Sequence, residues 1–150
     1  MTSPAEDGAP VFALVDDHVH SARLFARTLR HTDAPVQVRW LGDAGRALRS
    51  LERSLAGANG TTPDMIVVDL KADSAANENF VTRIAPHART AGVPVAVMAA
   101  GLDPQKRQRL LAAGAAAAFD RHHDLAAYRR EIEQISSFWV RETGTWPIRA

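Results

Sequence analysis

The sequence predicts an α/β fold in which one parallel sheet is covered by helices on both faces. Five short apolar or alternating segments are each followed by a segment of helical periodicity, and this alternation is typical of parallel sheets. The length of 150 residues suits a single domain. Hydrophobic residues make up 46% and charged residues 23% of the chain, which indicates a folded globule and not a disordered chain.

Most of the predicted strands are apolar along their whole length, as expected of strands that are buried on both faces. The second strand instead alternates between apolar and polar residues, and the fifth is rich in alanine, so its assignment depends on the alternation of elements. In chain order, the predicted strands are 11–15, 36–40, 65–68, 93–98 and 115–119.

The predicted helices carry specific signals at several of their ends. Asp103 followed by Pro104 is typical of a helix start, and Gly114 predicts a left-handed end to the same helix. Pro86 predicts the end of the third helix, or a kink in it, because proline clashes with the preceding turn. In chain order, the predicted helices are 18–30, 44–55, 77–85, 103–114 and 124–141.

Composition limits the classes of function. Residues 1–9 are expected to be a flexible leader, residues 10–141 one domain, and residues 142–150 an irregular tail. No apolar stretch approaches the ~20 residues of a membrane span, and no secretory signal is evident, so we expect a cytoplasmic protein without a membrane partner. The net charge of +1 argues against a nucleic-acid partner, and the absence of cysteine excludes disulfides and thiolate metal sites.

Acidic residues follow two of the buried strands directly. Asp16 and Asp17 end the first strand, and Asp69 ends the third, so a flavodoxin-like strand order 2-1-3-4-5 would bring them together. Carboxylates that lie within a few ångströms of one another repel and raise one another's pKa. A Mg²⁺ ion bound between them would relieve this repulsion. A carboxylate in such a site can also act as a nucleophile toward a phosphoryl group. The alternative is that these acids are solvated loop residues.

Four segments together resemble the receiver domain of bacterial two-component response regulators, over about residues 10–140. Two further features, ARTAGVP at 88–94 and Phe138-Trp139, are similar to single-domain receivers that partner bacterial phytochromes. The four segments are FALVDD at 12–17, PDMIVVDL at 63–70, GVPVAVM at 92–98, and Gly114-Ala115.

The resemblance implies a protein of a two-component phosphorelay that is not an enzyme. Asp69 would be the phosphoacceptor, and Mg²⁺ would be held by Asp16, Asp17, Asp69 and the backbone carbonyl of Lys71. The phosphoryl donor would be a histidine kinase, with a bacteriophytochrome as one candidate. The chain would at most catalyse its own phosphorylation from a donor and the slow hydrolysis of the phosphoryl group. Its output would be a protein–protein contact.

The chain departs from the receiver pattern at the positions that relay the signal. Ala99 stands where receivers have Ser or Thr, Arg121 stands where they have Lys, and Ala118 replaces the switch aromatic. Asp73 and Asn77 replace a proline and a glycine of the loop after the phosphoacceptor. Loss of the hydroxyl at Ala99 removes a hydrogen bond of roughly 1–3 kcal/mol to the phosphoryl group. Phosphorylation is therefore chemically possible, whereas relay by the usual route is not expected.

Two other classes of function remain as alternatives. A pseudo-receiver would act as a protein-interaction module without phosphorylation, which the substitutions at Ala99, Ala118 and Arg121 favour and the retained acids oppose. A metal-dependent phosphohydrolase would need a second acid two residues after the nucleophile, where this chain has Lys71. Nucleotide binding is opposed by the lack of a glycine-rich loop after a strand.

The last helix carries an apolar stripe at alternating spacings of three and four residues. The sequence leaves two interpretations open: the stripe covers the sheet, or the aromatic excess forms a homodimer contact through the last helix and tail. The residues concerned are Tyr128, Ile132, Ile135, Phe138, Trp139 and Trp146.

Overall fold

A computed structural model describes residues 9–32, 36–57 and 62–143, and its strands and helices alternate as predicted. The strands are β1 (Val11–Asp16), β2 (Gln37–Gly42), β3 (Met65–Asp69), β4 (Val95–Ala99) and β5 (Ala117–Asp120). The helices are α1 (Val19–Arg30), α2 (Ala44–Leu55), α3 (Ala76–Ala91), α4 (Pro104–Ala113) and α5 (Leu125–Thr143). All strand pairs are parallel and the order is β2-β1-β3-β4-β5, which confirms the flavodoxin-like fold.

The sheet separates two hydrophobic cores. Along β1, Phe12 and Leu14 face the core formed with α1 and α5, whereas Ala13 and Val15 face the core formed with α2, α3 and α4. Strands β3 and β4 are buried at every position, as their continuous apolar runs predict. Because both faces of these strands are covered, their polar ends at the carboxyl edge are the part of the sheet on which a site can form.

Helix α3 does not end at Pro86, so the predicted end there is wrong, whereas a kink at Pro86 stays a prediction. The helix continues to Ala91 and ends at Gly92, whose φ of 73° is left-handed. Ala85 and Ala88, on either side of the proline, are both buried. The packing of both halves of the helix therefore outweighs the hydrogen bond that Pro86 cannot donate.

Other boundaries shift by a few residues. The fifth helix extends through Thr143, so Glu142 belongs to the helix and not to an irregular tail. Strands β4 and β5 begin two residues later than predicted, at Val95 and Ala117. Residues 1–8 and 144–150, including Trp146, lie outside the described residues.

The apolar stripe of α5 packs into the chain's own core. Its members Tyr128, Ile132, Ile135 and Trp139 are all buried, and the rings of Trp139 and Phe12 lie 5.8 Å apart. The half-buried Phe138 packs edge-on against Phe119. Core packing therefore explains these side chains, and the prediction that they form a homodimer surface is wrong for the four buried ones. Within the described residues, no helix is both long and apolar enough to cross a membrane.

Helix α4 begins and ends at the predicted signals. The Asp103 carboxylate accepts a hydrogen bond of 2.7 Å from the backbone N–H of Lys106, which confirms the cap. Gly114 ends the helix with a φ of 125°, positive as expected but wider than a left-handed helical value. A Cβ atom at Gly114 would lie 2.4 Å from the Cβ of Ala85, so glycine is also required by the close approach of α4 to α3.

We expect Gly114→Ala to lower the free energy of unfolding by about 3 kcal/mol, because a backbone penalty adds to an overpacked contact. Gly92→Ala is the matched control, since Gly92 also has a positive φ but has no atom within 4 Å of an added Cβ. The control should lose only about 1 kcal/mol in urea denaturation. Equal losses in the two variants would contradict the contact with Ala85.

Candidate functional site

The ends of β1 and β3 place two carboxylates side by side. Asp16 is paired in register with Asp69 across the parallel ladder, and both residues are fully buried. Asp17 follows at the edge and is half-buried. The three predicted acids thus lie at one edge of the sheet. We call these three acids, with the side chains of Lys71 and Arg121, the acid pocket.

Lys71 enters the acid pocket with its side chain as well as its backbone. Its Nζ lies 2.8 Å from Oδ1 of Asp16, 3.2 Å from Oδ1 of Asp69 and 2.9 Å from the backbone carbonyl oxygen of Asp69. Its backbone N–H donates to both carboxylate oxygens of Asp17, at 3.0 and 3.1 Å. One residue therefore contacts all three acids.

Arg121 covers Asp69 from the side of β5. Its Nη1 forms an ion pair with Oδ1 of Asp69, and its backbone N–H donates to the carbonyl of Ala99 at 2.9 Å. The side chain is 22% exposed, so the guanidinium stands between the buried carboxylate and solvent. The positive charge expected after the fifth strand thus reaches Asp69 despite the change from lysine.

Charge in the acid pocket is unbalanced by one. Three carboxylates face two cations, which leaves a formal charge of −1 within the pocket. Burial raises the pKa of Asp69, Lys71 and Arg121 lower it in part, and Asp16 raises it again. Burial also raises the pKa of the Tyr128 hydroxyl, and the carboxylates of Asp69 and Asp16 raise it further.

Several polar atoms at the site lack a partner within the described part of the chain. These are Oδ2 of Asp16, Oδ2 of Asp69 and the hydroxyl of Tyr128, all of which are buried. Buried polar groups usually have hydrogen-bond partners, so two unpaired carboxylate oxygens at neighbouring strand ends mark a place where a cation or donor can bind.

The predicted Mg²⁺ site does not fit the side chains as they are placed. The ammonium of Lys71 already bridges Asp16 and Asp69, and the backbone amide of Lys71 takes both oxygens of Asp17. Over residues 9–32, 36–57 and 62–143, no three acidic or histidine side chains are grouped to hold a metal ion.

The two alanines that depart from the receiver pattern lie on the two strands beyond β3. Ala99 ends β4 and Ala118 lies within β5, and both are buried methyl groups. A cleft of ≈ 310 Å³ opens beside Asp69 and is lined by Lys71, Ala99 and Arg121, among others. Asp73 is exposed and its carboxylate accepts from the N–H of Ala75, so it supports the turn of the loop.

Three features of the site were missed from the sequence. The receiver resemblance implies a role for the backbone carbonyl of Lys71 and none for its side chain. Asn77 joins two strand ends: its Oδ1 accepts from the N–H of Leu70 at 2.8 Å, and its Nδ2 donates to the carbonyl of Met98 at 3.2 Å. Trp40 donates its indole N–H to the carbonyl of Asp16 at 2.8 Å. A lone lysine two residues after a buried acid was the signal available for the first of these.

We expect Asp69→Asn to raise the melting temperature of the metal-free protein at pH 7. The pKa of Asp69 is higher in the folded than in the unfolded protein. The stability that Asp69 contributes is therefore fully present below the pKa of the unfolded state, and it is lost as the pH rises through the pKa of the folded state. The neutral variant avoids this loss and brings the formal charge of the pocket to zero.

Thermal unfolding in chelator between about pH 4 and pH 7 measures this difference, which should shrink as the pH falls. Asp73→Asn, at an exposed acid of the neighbouring loop, is the control and should leave the melting temperature nearly unchanged. A lower melting temperature for Asp69→Asn at pH 7 would show that its two ion pairs outweigh its burial.

The fold is similar to that of solved response regulators, all of low sequence identity. The phosphorylated cyanobacterial phytochrome response regulator RcpA matches with a TM-score of 0.74 and 21% identity, covering 93% of this chain and 99% of its own. The Mn²⁺-bound response regulator Rcp1 matches with a TM-score of 0.73, 21% identity and the same coverages of 93% and 99%. A receiver domain from Rhodospirillum rubrum matches with a TM-score of 0.72 and 18% identity, covering 87% and 94%.

No protein-family model and no curated protein sequence matches the chain. The similarity is therefore one of structure and extends over nearly the whole chain. On this evidence, the chain has the receiver fold of response regulators, and its structural neighbours include a phytochrome response regulator.

Proposed function

We propose that the chain is an atypical response regulator that accepts a phosphoryl group on Asp69 and signals through protein–protein contacts. The observation that carries this proposal is the pairing of the Asp69 carboxylate with two cationic side chains, Lys71 and Arg121, at the carboxyl edge of the sheet. Cations at this position can neutralise the oxygens of an arriving phosphoryl group. The donor would be a histidine kinase in the cytoplasm.

The proposed step is a displacement at phosphorus. With an acyl phosphate as donor, a carboxylate oxygen of Asp69 forms a bond to phosphorus. The P–O bond to the acyl group of the donor breaks, and the donor's carboxylate leaves with the electron pair. With phosphohistidine, the P–N bond breaks and the leaving imidazole takes up a proton. Arg121 must first turn away, because both oxygens of Asp69 are buried, and it can then bind the phosphoryl oxygens with its planar donors.

The signal would leave the site through Arg121. Ala99 has no hydroxyl to bind the phosphoryl group, and Ala118 has no ring to rotate, so neither partner of the usual switch is present. Arg121 contacts Asp69 by its side chain and Ala99 by its backbone, and it begins the segment that leads into α5. A phosphoryl group on Asp69 changes the charge that Arg121 faces, which gives the two states different contacts. We propose no other enzymatic activity than uptake of this group and its slow loss to water.

A phosphorylation-independent pseudo-receiver is the second candidate. It is favoured by the complete burial of Asp69 beneath Lys71 and Arg121, because a phosphoacceptor must be reached by its donor. In that case, Asp69 is a structural anion that holds two cations in place, and the outer surfaces of the helices bind the partner.

The identity of the kinase, the metal cofactor and the oligomeric state stay predictions. A bacteriophytochrome as the kinase is supported by the structural similarity to the phytochrome response regulator RcpA. Mg²⁺ as cofactor is supported by the unpaired oxygens of Asp16 and Asp69 and opposed by the ammonium beside them. Homodimerisation would be tested by light scattering at several concentrations. Of the residues predicted to form its surface, Phe138 is the only half-buried one within the described part of the chain.

We expect incubation with acetyl phosphate to add one phosphoryl group to the intact protein, as read by mass spectrometry. Asp69→Asn should remain unlabelled, because its amide cannot form the acyl phosphate. Arg121→Lys should be labelled faster, since a shorter cation covers Asp69 less.

Labelling of Asp69→Asn to the same extent would place the acceptor elsewhere. A wild-type protein that stays unlabelled while Arg121→Lys is labelled would identify Arg121 as the cover that blocks transfer. An absence of labelling in both would favour the pseudo-receiver.

A further inference from the structure

The ammonium of Lys71 is bound as a small cation would be. Its three N–H donors have three oxygen acceptors: Oδ1 of Asp16, Oδ1 of Asp69 and the backbone carbonyl of Asp69, at 2.8, 3.2 and 2.9 Å. These oxygens come from the ends of the two adjacent strands. The side chain is 16% exposed, so most of it lies within the protein.

We propose that the ammonium of Lys71 takes the place of a divalent cation in the acid pocket, so that the native protein excludes Mg²⁺ and loss of this ammonium opens a metal site. The proposal concerns the same pocket as the proposed phosphoacceptor. It stands whether or not Asp69 is phosphorylated, because metal binding is measured separately.

Charge and distance make the two cations exclusive. A Mg²⁺ ion lies about 2.1 Å from its oxygen ligands, so an ion on the Asp16 and Asp69 carboxylates would come within a few ångströms of an ammonium on the same groups. The repulsion at that separation is strong in a buried pocket. Binding of the ion would therefore require Lys71 to give up all three of its contacts.

The remaining acceptors are too few to hold the ion beside Lys71. Oδ1 of Asp16 also accepts from the N–H of His18 at 2.9 Å, and Oδ1 of Asp69 also meets Arg121. Both oxygens of Asp17 face the backbone amide of Lys71. Only Oδ2 of Asp16 and Oδ2 of Asp69 are left, both buried and unpaired among the described residues. When the ammonium is removed, Oδ1 of each carboxylate loses one of its two donors, so a cation can approach these oxygens together with the two Oδ2 atoms.

The test is direct binding of Mn²⁺, followed by the loss of the electron paramagnetic resonance signal of the free ion. We expect weak binding to the wild type and binding at least about tenfold tighter to Lys71→Met, which keeps the chain length and removes the charge. Lys71→Arg should resemble the wild type, because it keeps a cation in the pocket.

Lys106→Met is the matched control, since Lys106 is the other lysine of the chain and lines the same cleft. Its ammonium donates to the carbonyl of Ala100 and its removal changes the net charge equally, so Mn²⁺ binding should stay weak. Thermal unfolding gives a second readout: Mg²⁺ should raise the melting temperature of Lys71→Met but not that of the wild type.

Tight Mn²⁺ binding by the wild type would overturn the proposal, as would a folded Lys71→Met that binds no more tightly than Lys106→Met. If Lys71→Met does not fold without metal, the wild type and Lys71→Arg still decide, because tight binding by either contradicts exclusion. If acetyl phosphate does not label Asp69 but the wild type still binds Mn²⁺ only weakly, the result would count against Asp69 as a phosphoacceptor and not against the exclusion of the metal.

Discussion

Two buried carboxylates in register, Asp16 and Asp69, are the constraint on which the rest of the site depends. Parallel pairing of β1 and β3 fixes them side by side, and neither is exposed to water. Burial of unpaired like charges is costly, so a fold that keeps both must supply cations at close range. Lys71 and Arg121 do so from two different loops, and each contacts Oδ1 of Asp69.

This requirement links several otherwise separate features. The loop after β3 must turn so that Lys71 can reach back over the strand end, and Asn77 holds that turn by bonding to Leu70 and to Met98. On the opposite side, Trp40 of β2 binds the carbonyl of Asp16 and fixes the end of β1. Where the resemblance implies a proline and a glycine, this loop has Asp73 and Asn77, and the side chains of both accept hydrogen bonds from the loop backbone.

The fold could be predicted from the sequence because its signals are local. Continuous apolar runs such as 65–68 identify buried strands wherever they occur, and Asp103-Pro104 specifies a helix start within one turn. Pro86 was misjudged because the local rule ignores packing on both sides of the proline. The position of the acids could also be predicted, since parallel strands end at one edge. The direction of the Lys71 side chain could not, because it depends on a loop that Asn77 ties to a different strand.

The two substitutions that depart most from the receiver pattern are best understood as one change. Ala99 and Arg121 are joined by a backbone hydrogen bond, and both line the cleft beside Asp69. A methyl group at the end of β4 leaves room for a guanidinium that is longer and bulkier than the expected ammonium. Ala99 offers no hydroxyl to the cleft, and the guanidinium of Arg121 contacts the Asp69 carboxylate through Nη1. Two internal cations therefore face Asp69, and Arg121 joins this carboxylate to the end of β4 and to the segment that precedes α5.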